Sequence, residues 1–177
     1  MVSKRGESIT MYIIDANIFI DAGKKFYPND IFPSFWERLS EPQLLDRTYM
    51  IRSVYNELIK GNDEVSFWVD HHMRDKLVED VNDAVVLKKW AEIIQFVSSS
   101  DSYKKQAART WSKHTVADPW LIAVASINDW TIVTNEQSGN PHPGGQSARA
   151  KIPDVCNHFK VHYINHLDWL REIRLII

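Results

Sequence analysis

The chain has 177 residues, with 21 Lys and Arg against 23 Asp and Glu, a net charge of −2, and 44% hydrophobic residues. The length fits one domain, the charge balance argues against a protein that coats nucleic acid through bulk charge, and the hydrophobic content excludes a mainly disordered chain. The single cysteine, Cys156, rules out an intrachain disulfide. No window reaches the ~18–20 apolar residues that cross a bilayer, so we expect no membrane association and a cytoplasmic location.

Strands are predicted to alternate with helices along the whole chain. A polar leader over residues 1–10 precedes a single domain over residues 11–177, which opens with a continuous apolar strand at 11–14, typical of a parallel strand covered on both faces. The alternation predicts an α/β fold with a parallel sheet. Further strands are predicted at 48–51, 131–133 and 161–164, helices at 31–39, 53–60, 64–74, 84–97, 101–113, 120–127, 153–159 and 167–173, and a Gly- and Pro-rich loop at 137–150.

Two acids directly follow predicted strands. Asp15 ends the first strand, and Glu136 follows the strand at 131–133. Ligand sites of open parallel sheets lie beyond the carboxyl ends of the strands, so both positions favour a site. The ordinary alternatives are a turn residue for Asp15 and a solvated loop acid for Glu136.

Two further acids belong to predicted helices. Glu57 shares a stripe of i, i+3, i+4 spacing with Val54 and Leu58, where an unpaired carboxylate would lose solvation; the alternative is a boundary Glu that reaches water. Asp118 precedes Pro119 at the start of an apolar helix, and its alternative is a plain helix cap.

The four acids together predict a cation site. Carboxylates that meet at one sheet edge raise each other's pKa unless a cation neutralises them, and a hard divalent ion held by carboxylates and water does so. Such an ion can activate water and stabilise an in-line phosphoryl displacement.

Four short segments resemble, in order, the motifs of the PIN-domain nucleases. They lie at 12–20, 53–58, 118–125 and 134–136, and the resemblance extends from residue 12 to about residue 164. It implies a PIN-like three-layer α/β/α sandwich around a central, mainly parallel sheet. It also implies a Mg²⁺- or Mn²⁺-dependent endoribonuclease whose products carry 5′-phosphate and 3′-hydroxyl ends. The residues that would bind the metal and catalyse the reaction are Asp15, Glu57, Asp118 and Glu136.

The resemblance also suggests partners, and the sequence departs from the family pattern in three places. Small stand-alone members are commonly toxins, so the resemblance implies an RNA substrate and a small antitoxin protein, with a homodimer as a further partner. Glu136 stands where the family more often has Asp, and the 137–150 loop and the helical region at 61–116 are longer than in the smallest members. These differences point to a divergent branch.

Polar residues next to the acids are expected to support them. On an extended chain, Asn17 would share the face of Asp15 and orient it or a metal-bound water; the alternative is a turn Asn. Thr134 or Asn135 could hold a water in the same way.

Basic residues near the motifs are few. Arg149 and Lys151 flank the end of the long loop and are candidates for contacts with substrate phosphates, with solvated surface charge as the alternative. Asp154 is a further acid, better explained as a residue at a helix N-terminus.

Three rival functions remain. A zinc site would use a C-x-H-x3-H-x3-H spacing, but its residues cross a helix, a strand and a helix start. A haloacid-dehalogenase-like phosphatase would use Asp15 as nucleophile, but it needs a second Asp where Asn17 stands. A catalytically inactive PIN-like module could instead bind a partner peptide in an apolar groove. The candidate zinc ligands are Cys156, His158, His162 and His166.

Overall fold

The strands that the structure describes lie parallel in one sheet. The computed structural model describes residues 9–139 and 145–177, so most of the predicted leader over residues 1–10 and the middle of the predicted 137–150 loop lie outside the described residues. The strands are β1 (Tyr12–Ile14), β2 (Thr48–Ile51), β3 (Leu77–Val78), β4 (Thr131–Val133) and β5 (Tyr163–Ile164). They are arranged in the order β3-β2-β1-β4-β5, so the direction of winding reverses between β1 and β4.

The central strands form the middle of the hydrophobic core. Tyr12, Ile13 and Ile14 of β1 are buried, as are Ile132 and Val133 of β4. A strand with neighbours on both sides and helices on both faces has no surface in water, which explains its uninterrupted apolar run. The predicted α/β class with a parallel sheet is therefore confirmed.

Helices cover the sheet in two packed groups. The helices are α1 (Ala16–Asp21), α2 (Pro33–Leu39), α3 (Pro42–Leu45), α4 (Arg52–Ile59), α5 (Glu64–Met73), α6 (Ala84–Ser99), α7 (Lys105–Trp111), α8 (Asp118–Asn128), α9 (Ile152–Phe159) and α10 (His166–Glu172). In one group, α4 packs against α1 and α5; in the other, α8 packs against α6 and α9. The architecture is the expected three-layer α/β/α sandwich. Within the described ranges, no helix has the length and apolarity needed to span a membrane.

Some local predictions were wrong because distant segments determine the structure. The chain is helical directly after Asp15, where we expected an extended segment. The helix that we predicted from residue 53 begins one residue earlier, at Arg52, and the Ser53 N–H donates to the Asp80 carboxylate at 3.0 Å. The strand β3 and the short helices α1 and α3 were not predicted, since two to six residues are too few to show a period.

Candidate active site

The candidate site lies where the winding direction of the sheet reverses. Asp15 directly follows β1, and Thr134 to Glu136 directly follow the neighbouring strand β4. The Asp15 N–H still donates to the Val133 carbonyl at 3.0 Å, so the two strand ends remain in register beyond the ladder. In open α/β sheets a crevice forms at this point, because the connections leave in opposite directions.

Asp15 is a buried carboxylate with few groups that stabilise its charge. Its residue is 4% exposed. The Thr134 hydroxyl donates to it at 2.7 Å, and Asn17 Nδ2 lies 3.5 Å away. Burial raises the pKa of Asp15 to about 6, the charges of Glu136 and Glu57 add to this, and the bonds from Thr134 and the Asn17 backbone oppose it. Thr134 and Asn17 thus both contact Asp15. The contact from Asn17 was expected from an extended chain but is made from a helical turn, and the contact from Thr134, which we expected to hold a water, was not predicted.

Asp118 is the second acid of the site; it is half-buried, and it does not cap its helix. It is the first residue of α8, Ala117 occupies the N-cap position, and Pro119 follows in the first turn. Within the described part of the chain, the Asp118 carboxylate accepts no hydrogen bond. Burial raises its pKa to about 7, with further increases from the charges of Asp15, Glu136 and Glu57 and a decrease from Lys151. The Asp118 carboxylate is therefore free of capping and hydrogen-bonding roles within the described chain, and its interactions there are electrostatic ones with the neighbouring charges.

Glu136 has two partners of its own. Lys151 forms an ion pair with it through Nζ, and the Ile152 N–H at the start of α9 donates to Oε2 at 2.7 Å. Lys151, which we expected to contact substrate phosphate, is therefore bound to an acid of the site. This ion pair brings a positive charge into the acid cluster.

Glu57 belongs to the cluster only at its margin. The prediction that it shares the buried stripe of Val54 and Leu58 was wrong, because Glu57 is exposed. The buried face of α4 also includes Tyr55, which shifts its centre away from Glu57. The Glu57 charge nevertheless raises the pKa values of Asp15 and Asp118, so Glu57 lies near enough to both acids to interact with them.

The four acids share one electrostatic environment without converging on one point. Within residues 9–139 and 145–177, no three His, Cys, Asp or Glu side chains are close enough together to hold a metal ion as they stand. Unneutralised carboxylates repel one another, and the Glu136 carboxylate is already bound by Lys151. The cluster is therefore an arrangement of neighbouring charges that a cation would have to draw together.

The described side-chain contacts of Asn135 are with His166, not with Asp15. Its side-chain oxygen accepts from the His166 N–H at 3.2 Å and lies 2.9 Å from His166 Nδ1. The side-chain oxygen of Asn135 is therefore engaged by His166, and the expectation that Thr134 or Asn135 holds a water stays a prediction. Alternation along an extended segment explains why Asn135 contacts His166 rather than Asp15, since neighbouring side chains point in opposite directions and Thr134 faces Asp15.

The candidate zinc ligands are dispersed. His158 stacks on Phe96, with 3.6 Å between the ring centroids, and His166 stacks on Phe26. Cys156 is buried within α9, where burial raises the pKa of its thiol to about 12. The geometry does not support the zinc hypothesis.

A cavity of about 490 Å³ opens beside the acids. Asp118 and Glu136 line it together with Arg149 and Lys151. Helix α7 contributes Gln106, Thr110 and Trp111 to the same cavity.

The profile of a family described as a domain of unknown function (DUF4411) matches residues 12–176. The chain belongs to the DUF4411 family. The match extends from β1 through α10 and so includes every acid of the cluster. No curated protein matches the chain.

In this DUF4411 protein, sequence reasoning missed the contribution of α7. Its cavity-lining residues belong to a polar, basic segment that resembles none of the four motifs. The run of cations at 104–113, without an acid among them, was the available signal.

Proposed function

We propose that this DUF4411 chain is a metal-dependent endoribonuclease of the PIN type, which hydrolyses phosphodiester bonds in RNA. One observation carries the proposal. Asp15 is buried and Asp118 is half-buried, and they lie close to each other where the winding of the sheet reverses, with pKa values raised to about 6 and about 7. Strongly perturbed acids beside a cavity are typical of functional sites. The four PIN-like motifs and their order support the type of nuclease.

The donor set fits a hard divalent cation. Carboxylate oxygens are the ligands that Mg²⁺ and Mn²⁺ prefer, and the charges of Asp15 and Asp118 are opposed by few groups. Asp15 and Asp118 would hold the ion, with Glu57 and Glu136 at the margin of the site. When bound, such an ion supplies an activated water and stabilises negative charge on the phosphate.

The chain's own residues orient the site. Hydrogen bonds from Thr134 and Asn17 hold the Asp15 carboxylate in place. Its position therefore does not depend on a bound substrate. Lys151 holds Glu136 and offsets part of the negative charge around Asp118. Electrostatic preorganisation requires charged groups that are held in place and partly shielded from water, and Asp15 and Asp118 meet this description.

The role of a toxin with a small antitoxin partner, or of a homodimer, rests on the motif resemblance alone. It belongs to the proposal as the biological setting of the nuclease.

A cleavage assay on labelled RNA tests the proposed activity. We expect cleavage with Mg²⁺ or Mn²⁺, none in EDTA, and products with 5′-phosphate and 3′-hydroxyl ends. Asp15→Asn and Asp118→Asn should each remove nearly all activity, because each removes a charge that would bind the ion. Glu136→Gln should reduce the rate by only ~10–100-fold, the range typical of a partner outside the metal's own ligands.

The matched control is Asp46→Asn. Asp46 is exposed and precedes β2, at the opposite edge of the parallel sheet. Cleavage that continues in chelator, or that Asp118→Asn leaves at the parent rate, would overturn the proposal. The inactive docking module would then become the better hypothesis.

A further inference from the structure

The ion pair between Lys151 and Glu136 is built into the start of α9. Lys151 directly precedes this helix, and its carbonyl accepts a hydrogen bond from the Val155 N–H at 3.2 Å. The Ile152 N–H donates to Glu136 Oε2 at 2.7 Å, and Lys151 Nζ binds the other oxygen, Oε1. The Lys151 ammonium is therefore held at a fixed helix end beside the acids.

Both oxygens of the Glu136 carboxylate are bound by this chain. Only 17% of the Glu136 side chain and 32% of the Lys151 side chain are exposed, so water and salt screen this pair less than a surface pair. A carboxylate at a helix N-terminus is also stabilised by the partial positive charge there. Glu136 thus has its partners before any cation binds, whereas the Asp118 carboxylate accepts no hydrogen bond within the described chain.

Lys151 also acts on the other acids of the cluster. Its charge lowers the pKa of Asp118, while burial and the neighbouring acids raise it. Lys151, Glu136 and Asp118 line the same cavity. The chain itself therefore supplies one positive charge at the acids where a cation is expected.

The charges of the site balance best with a single divalent ion. The four acids of the cluster face one ammonium, so one doubly charged ion leaves a small net negative charge, whereas a second such ion would make the site positive. Uncompensated charge of either sign is unfavourable where water is partly excluded. Glu136, the acid left over for a second ion, is the one that Lys151 already binds.

We propose that Lys151 takes the place of a second metal ion, so that the site binds one divalent cation through Asp15 and Asp118. Glu136 is then a positioning residue: it binds Lys151 and keeps the ammonium from pairing with Asp118, and it does not bind the ion itself. This inference rests on the proposed function and adds the number of ions and the role of Glu136.

Calorimetric titration of Mn²⁺ into the full chain counts the ions and measures their Kd. We expect one ion in the parent and two in Lys151→Met, because the variant releases the Glu136 carboxylate from its ion pair. The EPR spectrum of the bound Mn²⁺ is a second readout, since two ions ~3.5–4 Å apart, as in two-metal sites, give a coupled spectrum that a single ion does not.

A double-variant cycle tests the role of Glu136. Glu136→Gln leaves the Lys151 ammonium free to pair with Asp118, so we expect Mn²⁺ to bind ~10–100-fold more weakly, the range typical of a partner outside the metal's own ligands. Glu136→Gln combined with Lys151→Met has the net charge of the parent and should restore the parent Kd. If Glu136 bound the ion directly, the double variant would stay as weak as Glu136→Gln.

Arg149→Met is the matched control, because Arg149 lines the same cavity and forms no ion pair with any described residue. It should bind one ion with the Kd of the parent. Melting temperatures in EDTA show which variants are folded, and if Lys151→Met is not, the double variant still tests the role of Glu136. Two ions in the parent, one ion in a folded Lys151→Met, or a double variant as weak as Glu136→Gln would each overturn the inference.

The two proposals fail separately. If the ion count and the cycle are as expected but the protein cleaves no RNA with any divalent ion, the inference stands and the nuclease proposal falls. If the parent cleaves RNA and binds two ions, the nuclease stands and the inference is wrong. A parent that binds no divalent ion overturns both.

Discussion

At the scale of single residues, the defining feature is a pair of carboxylates, the buried Asp15 and the half-buried Asp118, whose pKa values are raised by burial and by neighbouring acids. Asp15 receives hydrogen bonds from Thr134 and Asn17, while Asp118 receives none from the described chain. This difference explains why the pKa of Asp118 rises further, to about 7 against about 6. Such repulsion between carboxylates is expected in a cation site, because a bound cation neutralises the charges and removes the repulsion.

The raised pKa of Asp118 predicts how stability depends on pH without divalent ions. Because the folded-state pKa lies above the ordinary value of 3.8, the stabilising effect of the protonated acid is complete below about pH 4. It is lost as the pH rises through about 7. Asp118→Asn mimics the protonated acid, so in EDTA the melting temperature of the variant should rise relative to the parent between about pH 4 and pH 8.

The rise of the Asp118 pKa from 3.8 to about 7 corresponds to ~4 kcal/mol. Since ~1 kcal/mol shifts the melting temperature of a domain of this length by roughly 2–4 °C, we expect a relative rise of about 10 °C. Thermal denaturation across the pH range measures it. Asp46→Asn serves as the control and should follow the parent at every pH. A difference between Asp118→Asn and the parent that does not change with pH would show that Asp118 is not strained in the folded state.

At the scale of elements, helix ends are stabilised both locally and from a distance. Asp83 caps α6 by accepting from the N–H groups of Val85 at 2.8 Å and Val86 at 3.1 Å. By contrast, the start of α4 depends on Asp80, which follows β3 and accepts from Ser53. The cap of α6, which packs on α8, can therefore be removed by changing Asp83 without altering the acids of the candidate site.

Replacing the α6 cap should destabilise the protein by a predictable amount. Asp83→Ala leaves two N–H groups without their partner, so we expect a loss of about 1 kcal/mol and a melting temperature lower by roughly 2–4 °C. Asp101→Ala is the control, since Asp101 is exposed and begins no helix. Equal shifts of the two variants would contradict the assignment of Asp83 as a cap.

At the scale of the whole molecule, the parallel sheet brings acids from four distant segments to one edge. Asp15 and Glu136 follow neighbouring strands, Asp118 begins the buried helix α8, and Glu57 lies on α4. Binding of a cation at this edge would therefore tie both layers of helices to the sheet. Global stability should depend on the ion.

Divalent ions should stabilise the fold through Asp15 and Asp118. At a Mn²⁺ concentration about a hundred times its Kd, binding adds about 2.7 kcal/mol, or roughly 5–10 °C in melting temperature. We expect Asp15→Asn and Asp118→Asn to lose most of this increase, while Asp46→Asn keeps it. Calorimetric titration of Mn²⁺ gives the Kd, and a full increase retained by Asp118→Asn would place the ion elsewhere.

The sequence was sufficient to predict the α/β class and the positions of Asp15 and Asp118. Continuous apolar strands, a proline at a helix start and an acid at a strand end are local patterns that remain readable without the fold. The partners and the exposure of the remaining site residues could not be predicted from such local patterns. Three features depend on segments that meet only after folding: the pairing of Glu136 with Lys151, the bond from the His166 N–H to the Asn135 side chain, and the exposed position of Glu57. Burial and side-chain partners arise from packing between distant parts of the chain, and periodicity within one segment carries no information about them.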